Sequence, residues 1–242
     1  IKDQRKIKVG RMTVSITGKT CSIYVKRYNV FSVRSRLGSL FFRSGAVRSL
    51  RGAELLAASG IATATPVAGV EDRVYGMLRK SFFVSEEIAG ARTADACWTE
   101  QLQGHKGRDG FLLRRGYLAR LAALFHSLHA RQIYHDDLKD ANIMAVTGGN
   151  DEPVQFLLLD LEGVRRCFRL SERRRVKNLA QLYRTLGRHL TRSQGFCFLK
   201  NYLGDSYADR KRRRKLAVRV LRLAHRENRR KARADGRWQA TS

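Results

Sequence analysis

The sequence predicts an α+β protein of two lobes, the first small and mainly β strand, the second larger and mainly helical. Three observations carry that expectation. Strand-like alternation is concentrated before residue 90, and helical periodicity dominates after it. The segment "IYHDDLKDANIM", residues 133–144, follows a long helical pattern and packs aspartates, a histidine, a lysine and an asparagine between apolar ends. The boundaries that follow are 1–90 for the first lobe, 91–207 for the second, and 208–242 for a basic C-terminal helix.

In the first lobe, "RMTVSITGKTCSIYVKRY" alternates apolar residues on both sides of a turn centred on Gly18, which predicts a hairpin. "AVRSLRGAELLAASG" has helical spacing and stops at Gly60, a residue suited to a helix C-terminus. "TPVAGVEDRVYGMLRKSFFVSEEI", rich in Val and Phe, returns to strand. Beyond residue 91, "FLLRRGYLARLAALFHSLHARQ" predicts a long amphipathic helix with Leu113, Tyr117, Leu121, Leu124 and Leu128 along one face. "VQFLLLDLEG" is a buried strand ending in acidic residues. "RRVKNLAQLYRTLGRHL" is a further helix, with Leu179, Leu182, Tyr183 and Leu186 inward. There is no internal repeat.

The chain has 242 residues and is 43% hydrophobic, enough for a real core, which excludes a disordered polycation. Its 49 Lys and Arg against 21 Asp and Glu give a formal net charge of +28, which attracts polyanions: nucleic acid, anionic lipid headgroups or phosphorylated glycans. The four cysteines, Cys21, Cys97, Cys167 and Cys197, are far apart without a C-x-x-C pair, and read as free thiols in a reducing compartment. No run approaches the ~18 apolar residues of a membrane span. The chain begins at Ile1 rather than at a methionine, which is compatible with a longer protein.

The polar cluster has specific spacing. Asp137, Lys139 and Asn142 stand at positions 0, +2 and +5, and Asp160 follows in "LLLDLEG". Two separated carboxylates and an amide are what cation-assisted phosphoryl transfer needs, because that reaction depends on positioning and charge neutralisation. Asp137 suits the group that accepts a hydrogen bond from the attacking hydroxyl. Asn142 and Asp160 suit the oxygen ligands of a magnesium ion bridging the phosphates. Lys139, two residues past Asp137, would point at the transferred phosphate. His126, His129 and His135 could suggest a metal cluster, but the helical placement of the first two favours packing or capping.

These residues resemble the eukaryotic-type kinase superfamily, whose catalytic loop reads H-x-D-L-K-x-x-N. "HDDLKDAN" matches every fixed position, and "DLEG" occupies the place of D-F-G, with Leu161 for Phe and Glu162 for Gly. The resemblance implies a protein-kinase-like fold with ATP and Mg2+ as cofactors. It further implies that Lys26 of "YVKRY" meets the nucleotide's phosphates, and that backbone groups of Glu86 and Ile88 in "FFVSEEIAG" meet adenine. That last segment equally fits an ordinary edge strand. The helix partner of Lys26 should be a glutamate. Glu54 is the only acidic residue on the first-lobe helix, and Ser49 lies nearer the expected place. The glycine-rich phosphate loop is poor, since Gly10 is the only glycine before the hairpin turn.

Protein kinases carry a long activation segment closed by A-P-E. Here neither proline, Pro66 or Pro153, follows Asp160, and barely ten residues lead from "DLEG" to the helix near Glu172. A peptide platform does not fit; a small-molecule or glycan acceptor does. The chain resembles the lipopolysaccharide core kinases, the heptose and Kdo kinases. The resemblance rests on "YVKRY", "LLAASGIATATPVAGVE", "FFVSEEIAGA", "HDDLKDANIM", "LLLDLEGVRR" and "NLAQLYRTLGRH". It implies phosphorylation of an inner-core sugar hydroxyl at the cytoplasmic face of the inner membrane, with an anionic glycolipid and the membrane surface as partners. The alternative is a kinase-fold protein associated with RNA or ribosome assembly. The charge fits both, but the basic C-terminal segment interleaves no aromatic residues for base stacking, and Trp238 stands alone in it. Residues 208–238 carry 14 basic and 3 acidic residues, with Leu216, Val220, Leu223 and Ala224 as an apolar stripe. Two readings fit: a docked helix with a solvated basic face, or an anion-binding surface.

Overall fold

The computed structural model describes residues 7–16, 19–30, 32–147 and 153–239, so the expected turn at Gly18 lies outside the described residues. Two compact units are present, Ile1–Gly90 with Leu157–Arg165, and Ala91–Phe156 with Arg166–Ser242.

The first unit is built on a four-stranded antiparallel sheet, order β1-β2-β4-β3. Its strands are β1 (Ile7–Ile16), β2 (Lys19–Asn29), β3 (Pro66–Val74) and β4 (Met77–Glu86). The register of β1 on β2 runs from Ile7 opposite Tyr28 to Ile16 opposite Lys19. Strands β3 and β4 join through Tyr75 and Gly76, both at positive φ (49° and 75°), the backbone a tight two-residue hairpin turn requires.

A short helix, α1 (Val33–Gly38), precedes α2 (Gly45–Ala57). Helix α2 starts because the Ser44 hydroxyl accepts from the Val47 amide at 3.2 Å, capping an otherwise unpaired donor. It lies on the sheet through Ala46 and Leu50, which pack with Tyr28, Phe83 and Ile7. After it, Thr63 runs parallel to Leu158: the Thr63 hydroxyl donates to the Leu158 carbonyl at 2.6 Å, and the Leu158 amide donates to Ala62 O at 3.0 Å. That pairing stations the start of the "LDLEG" segment against the first unit.

The second unit begins with β5 (Arg92–Thr93) and α3 (Ala94–Ala96), which continues as a π-helical turn over Cys97–Leu102. The long helix α4 (Gly107–Ala130) leads into β6 (Ile133–His135) and β7 (Ile143–Val146), and β7 pairs antiparallel with β5. Strands β8 (Gln155–Leu158) and β9 (Val164–Arg166) flank the segment carrying Asp160. Helices α5 (Glu172–Thr185), α6 (Arg192–Leu203) and α7 (Arg210–Gln239) complete the chain. A capping box between Thr191 and Gln194 starts α6.

Helix α4 buries Tyr117, Leu118, Leu121, Ala122, Phe125, Leu128 and His129. Leu113, expected inward, is exposed together with Phe111 and Leu112. Steps of four residues drift around a 3.6-residue helix, so a stripe extrapolated back from Leu128 leaves the core by its first turns. On α5, Leu179 and Leu182 are buried as expected, and Leu186 just beyond it is too. Tyr183 is exposed, and buried Asn178 takes part of the inward face. The expected stripe on α7 is also used up inside the fold. Leu216 and Ala224 are buried, Arg219 pairs with Glu172 of α5 at 2.6 Å, and the Arg184 Nε donates to Asn228 at 2.9 Å. The helix is docked, and most of the basic residues described on it are exposed. All four cysteines are free.

His126 and His129 serve packing. Tyr202 of α6 receives both: its carbonyl lies 2.8 Å from His126 Nδ1, and its hydroxyl 2.8 Å from His129 Nδ1. The other His129 nitrogen faces Asn178 Oδ1 at 3.3 Å. Burial lowers the His129 pKa from 6.5 to about 4, with Arg175 and His126 adding to the effect. The unfolded chain therefore takes up a proton near pH 6.5 that the folded chain refuses until about 4. Stability from this residue is complete above pH 6.5 and declines as pH falls towards 4, by on the order of 3 kcal/mol. Urea denaturation at pH 7 and pH 5 should show that loss, and His129→Gln should flatten the difference.

Candidate active site

The loop from His135 to Asn142 is fixed from below by α5. Asn178 Nδ2 donates to the His135 carbonyl at 2.5 Å, and Gln181 accepts from the Leu138 amide at 3.1 Å while donating to the Asp136 carbonyl at 2.8 Å. Two amides one helical turn apart thus satisfy three backbone groups of a segment with no regular partner strand. Lys177 adds an ion pair to Asp136 at 2.9 Å. These α5 residues were not foreseen; the visible signal was polar Asn178 and Gln181 interrupting the apolar face of a helix. His135 is buried, and its Nδ1 accepts the Asp137 amide at 3.2 Å, a structural role.

On that support Asp137 stands half-exposed, with Lys139 Nζ at 2.6 Å from its Oδ2. Asn142 donates through Nδ2 to the Asp137 carbonyl at 2.7 Å and to Asp137 Oδ2 at 3.2 Å. With its nitrogen committed to Asp137, the amide of Asn142 presents its oxygen as the remaining ligand, the atom a hard cation takes. Beneath the loop, Asp140 is buried. Burial, with the neighbouring Asp95 carboxylate adding to it, raises its pKa.

In the first unit, Lys26 of β2 reaches Asp160 Oδ1 at 2.6 Å. Burial works against the Lys26 ammonium, but the Tyr28 oxygen and the Asp160 carboxylate outweigh it and raise its pKa, so it stays charged. Asp160 sits at φ 55°, ψ 57°, a left-handed backbone that aspartate adopts more readily than most residues. The glutamate partner foreseen for Lys26 is not Glu54, which is exposed. The helix position facing the strand is Ser49, buried, its hydroxyl 2.9 Å from the Tyr28 hydroxyl.

Helix α2 is instead joined to the acidic segment. Arg48 forms an ion pair with Glu162, and Gly52 packs directly on the Leu161 backbone, so that a Cβ there would lie well inside van der Waals contact of the Leu161 carbonyl. Neither contact was foreseen; Glu162, standing where D-F-G has glycine, was the available clue. Gly52→Ala should therefore destabilise the protein by about 1–3 kcal/mol through overpacking, despite alanine's better helix propensity. Gly116, in α4 with open space around it, is the control: Gly116→Ala should stabilise by roughly 0.5–1 kcal/mol. Thermal melts of the two variants check the opposite signs.

Glu86 and Ile88 follow at the end of β4. The Glu86 amide donates to Thr65 O at 2.9 Å, so its carbonyl is the group an adenine contact would use. Next to it, Arg11 grips the Glu87 carboxylate through two nitrogens at 2.9 and 2.7 Å and holds that carboxyl below its usual range. Among the described residues no three His, Cys, Asp or Glu side chains gather as a metal cluster. Asp160 of the first unit and Asn142 of the second each offer an oxygen of the kind magnesium takes, an ion that keeps several waters and takes other ligands from phosphates.

The sequence pattern of the Lipopolysaccharide kinase (Kdo/WaaP) family matches residues 2–202 of this chain. The chain belongs to that family. As a Kdo/WaaP-family member it is a kinase. A solved WaaP, in complex with acyl carrier protein, superimposes with a TM-score of 0.67 at 21% identity, over 93% of this chain and 87% of that one. At that identity the likeness establishes the fold alone, and the Kdo/WaaP member described here has the mixed α+β, protein-kinase-like architecture. Among curated proteins none matches.

Proposed function

We propose that the chain transfers the γ-phosphoryl group of ATP to a sugar hydroxyl of the lipopolysaccharide inner core, on heptose or Kdo. The observation that carries the proposal is the Asp137–Lys139–Asn142 constellation, held by α5 in hydrogen-bonded register, in a chain of this kinase family. Asp137 accepts a hydrogen bond from the attacking hydroxyl and orients it. Lys139, adjacent, offers its ammonium to the phosphoryl oxygens as charge accumulates on them. Lys26 holds the nucleotide's phosphates, Asn142 and Asp160 hold magnesium, and Glu86 and Ile88 meet adenine through the backbone. Magnesium would neutralise the phosphate charge and align the transferred group.

The acceptor class follows from what the segment after Asp160 leaves room for. Helix α5 starts at Glu172, so only the eleven residues 161–171 are available where a peptide platform would need many more. The net charge of +28 suits an anionic glycolipid, and the exposed basic residues of α7 suit the cytoplasmic leaflet of the inner membrane. Among the described residues no helix is long and apolar enough to cross a membrane.

The test is transfer of labelled phosphate from ATP to three acceptors in parallel: lipopolysaccharide carrying an unphosphorylated core, a Kdo-bearing lipid A without heptose, and structured RNA or ribosomal particles. Label in a glycolipid is the expected result, and the pair of glycolipids assigns the sugar. Label confined to RNA, to ribosomal protein or to the kinase itself would overturn the glycolipid reading and favour the RNA-associated one.

A further inference from the structure

Residues 32–45 contain three arginines, Arg34, Arg36 and Arg43, and no acidic residue. Among them Leu37 and Leu40 are exposed, and Phe41 and Phe42 are 85% and 73% exposed. Two adjacent phenylalanines held in water, with two leucines beside them, form the kind of contiguous apolar patch that marks an interaction surface.

The patch is presented by an ordered frame. Ser39 is buried; its hydroxyl donates to Arg36 O at 2.5 Å and accepts from the Leu78 amide at 2.8 Å. Arg73 ties the same turn to the hairpin, donating to Ser39 O at 3.3 Å and to Gly76 O at 2.7 Å. Leu40 lies against Gly76, next to Tyr75, which is 93% exposed. The apolar tip is therefore built from two segments of the first unit, fastened to each other by main-chain and side-chain bonds.

We propose that this tip inserts into an anionic lipid leaflet, with Phe41 and Phe42 entering the headgroup–acyl boundary and Arg34, Arg36 and Arg43 meeting the phosphates. Charge complementarity selects the occupant. A second copy would bring the same arginines onto themselves, whereas a leaflet of acidic headgroups supplies both the counter-charge and the apolar layer. Helix α7 supplies little of the apolar part, because Leu216 and Ala224 are buried within its own unit and only Leu221 of its large hydrophobics is exposed among the described residues. Its contribution is electrostatic and screened by salt; that of Phe41 and Phe42 is not. The inference rests on the glycolipid-kinase reading for its purpose, since an enzyme acting on a membrane-held acceptor gains from residence at the membrane.

The full chain carrying Phe42→Trp, mixed with vesicles of phosphatidylcholine and phosphatidylglycerol, should show blue-shifted emission and quenching by brominated acyl chains, beyond the signal of the parent protein. Phe41→Ser/Phe42→Ser should lower vesicle partitioning about tenfold or more at elevated salt. That variant should melt as the parent does and phosphorylate a lipid-free core oligosaccharide at the parent rate. An unquenched Phe42→Trp reporter on vesicles that do bind, or partitioning equal to the parent's, overturns the proposal. So does a parent protein that self-associates, or captures an acidic protein, through this patch while its vesicle binding ignores the double substitution. Quenching of the reporter in a protein that phosphorylates no glycolipid supports the docking surface and removes only the acceptor assignment.

Discussion

Asp137→Ala should bind nucleotide as the parent does and lose phosphoryl transfer by a factor of ~10² or more, the scale expected of a positioned acid–base group. The variant is clean because the loop does not depend on that carboxylate for its shape. Asn178 and Gln181 hold the backbone on both sides of residue 137, through His135 O, Asp136 O and the Leu138 amide. What the substitution releases is Lys139 and one of the two contacts of the Asn142 amide. Single-turnover assays with labelled ATP, beside calorimetry with a non-hydrolysable analogue, separate the two effects. Turnover at the parent rate would remove Asp137 from the mechanism.

The second large effect is expected at Asp160. Its left-handed backbone makes asparagine the substitution to use, since asparagine tolerates that conformation and alanine does not. Asp160→Asn keeps a polar group beside Lys26 and removes the negative charge. Magnesium-dependent nucleotide affinity should fall by more than the roughly 10–100-fold that loss of an outer-shell partner of a metal costs. Magnesium-independent binding should change far less, because Lys26 keeps its charge. Calorimetric titration of the ATP analogue with and without magnesium reads the difference directly. Identical affinities in parent and variant under both conditions would end the metal assignment.

How much of this could be read in the sequence varies with the range of the interaction. The grouping of Asp137, Lys139 and Asn142 was legible because their contacts are local: they interact across five residues, and their spacing is the signal. The strands of the first unit were legible for the same reason, period-two alternation being a property of neighbours, while the β3–β4 turn at Tyr75 and Gly76 was not foreseen. The Arg48–Glu162 pair joins residues 114 positions apart, and no periodicity announces it. The Lys26 partner was sought on the helix, where charge logic placed Glu54, but the buried helix position is Ser49, its hydroxyl against Tyr28 of β2. A hydroxyl pair can be buried there at low cost, whereas an unpaired carboxylate cannot. Leu113 and Tyr183 failed for a third reason. Amphipathic counting extends a stripe in fixed steps, and the true inward face drifts away from it along a 3.6-residue helix.

The join between α2 and the acidic segment has a consequence for control. Where a helix and the aspartate proposed to hold magnesium can move apart, an enzyme has intermediate resting forms, and effectors can act on either element alone. Here the Arg48–Glu162 pair and the absence of a side chain at Gly52 merge them into one mechanical part. Displacing α2 drags Leu161, and with it the neighbouring Asp160. Any inhibitor that prises α2 from the sheet would carry Leu161 and Asp160 with it, making the seam between Gly52 and Leu161 a single point of failure.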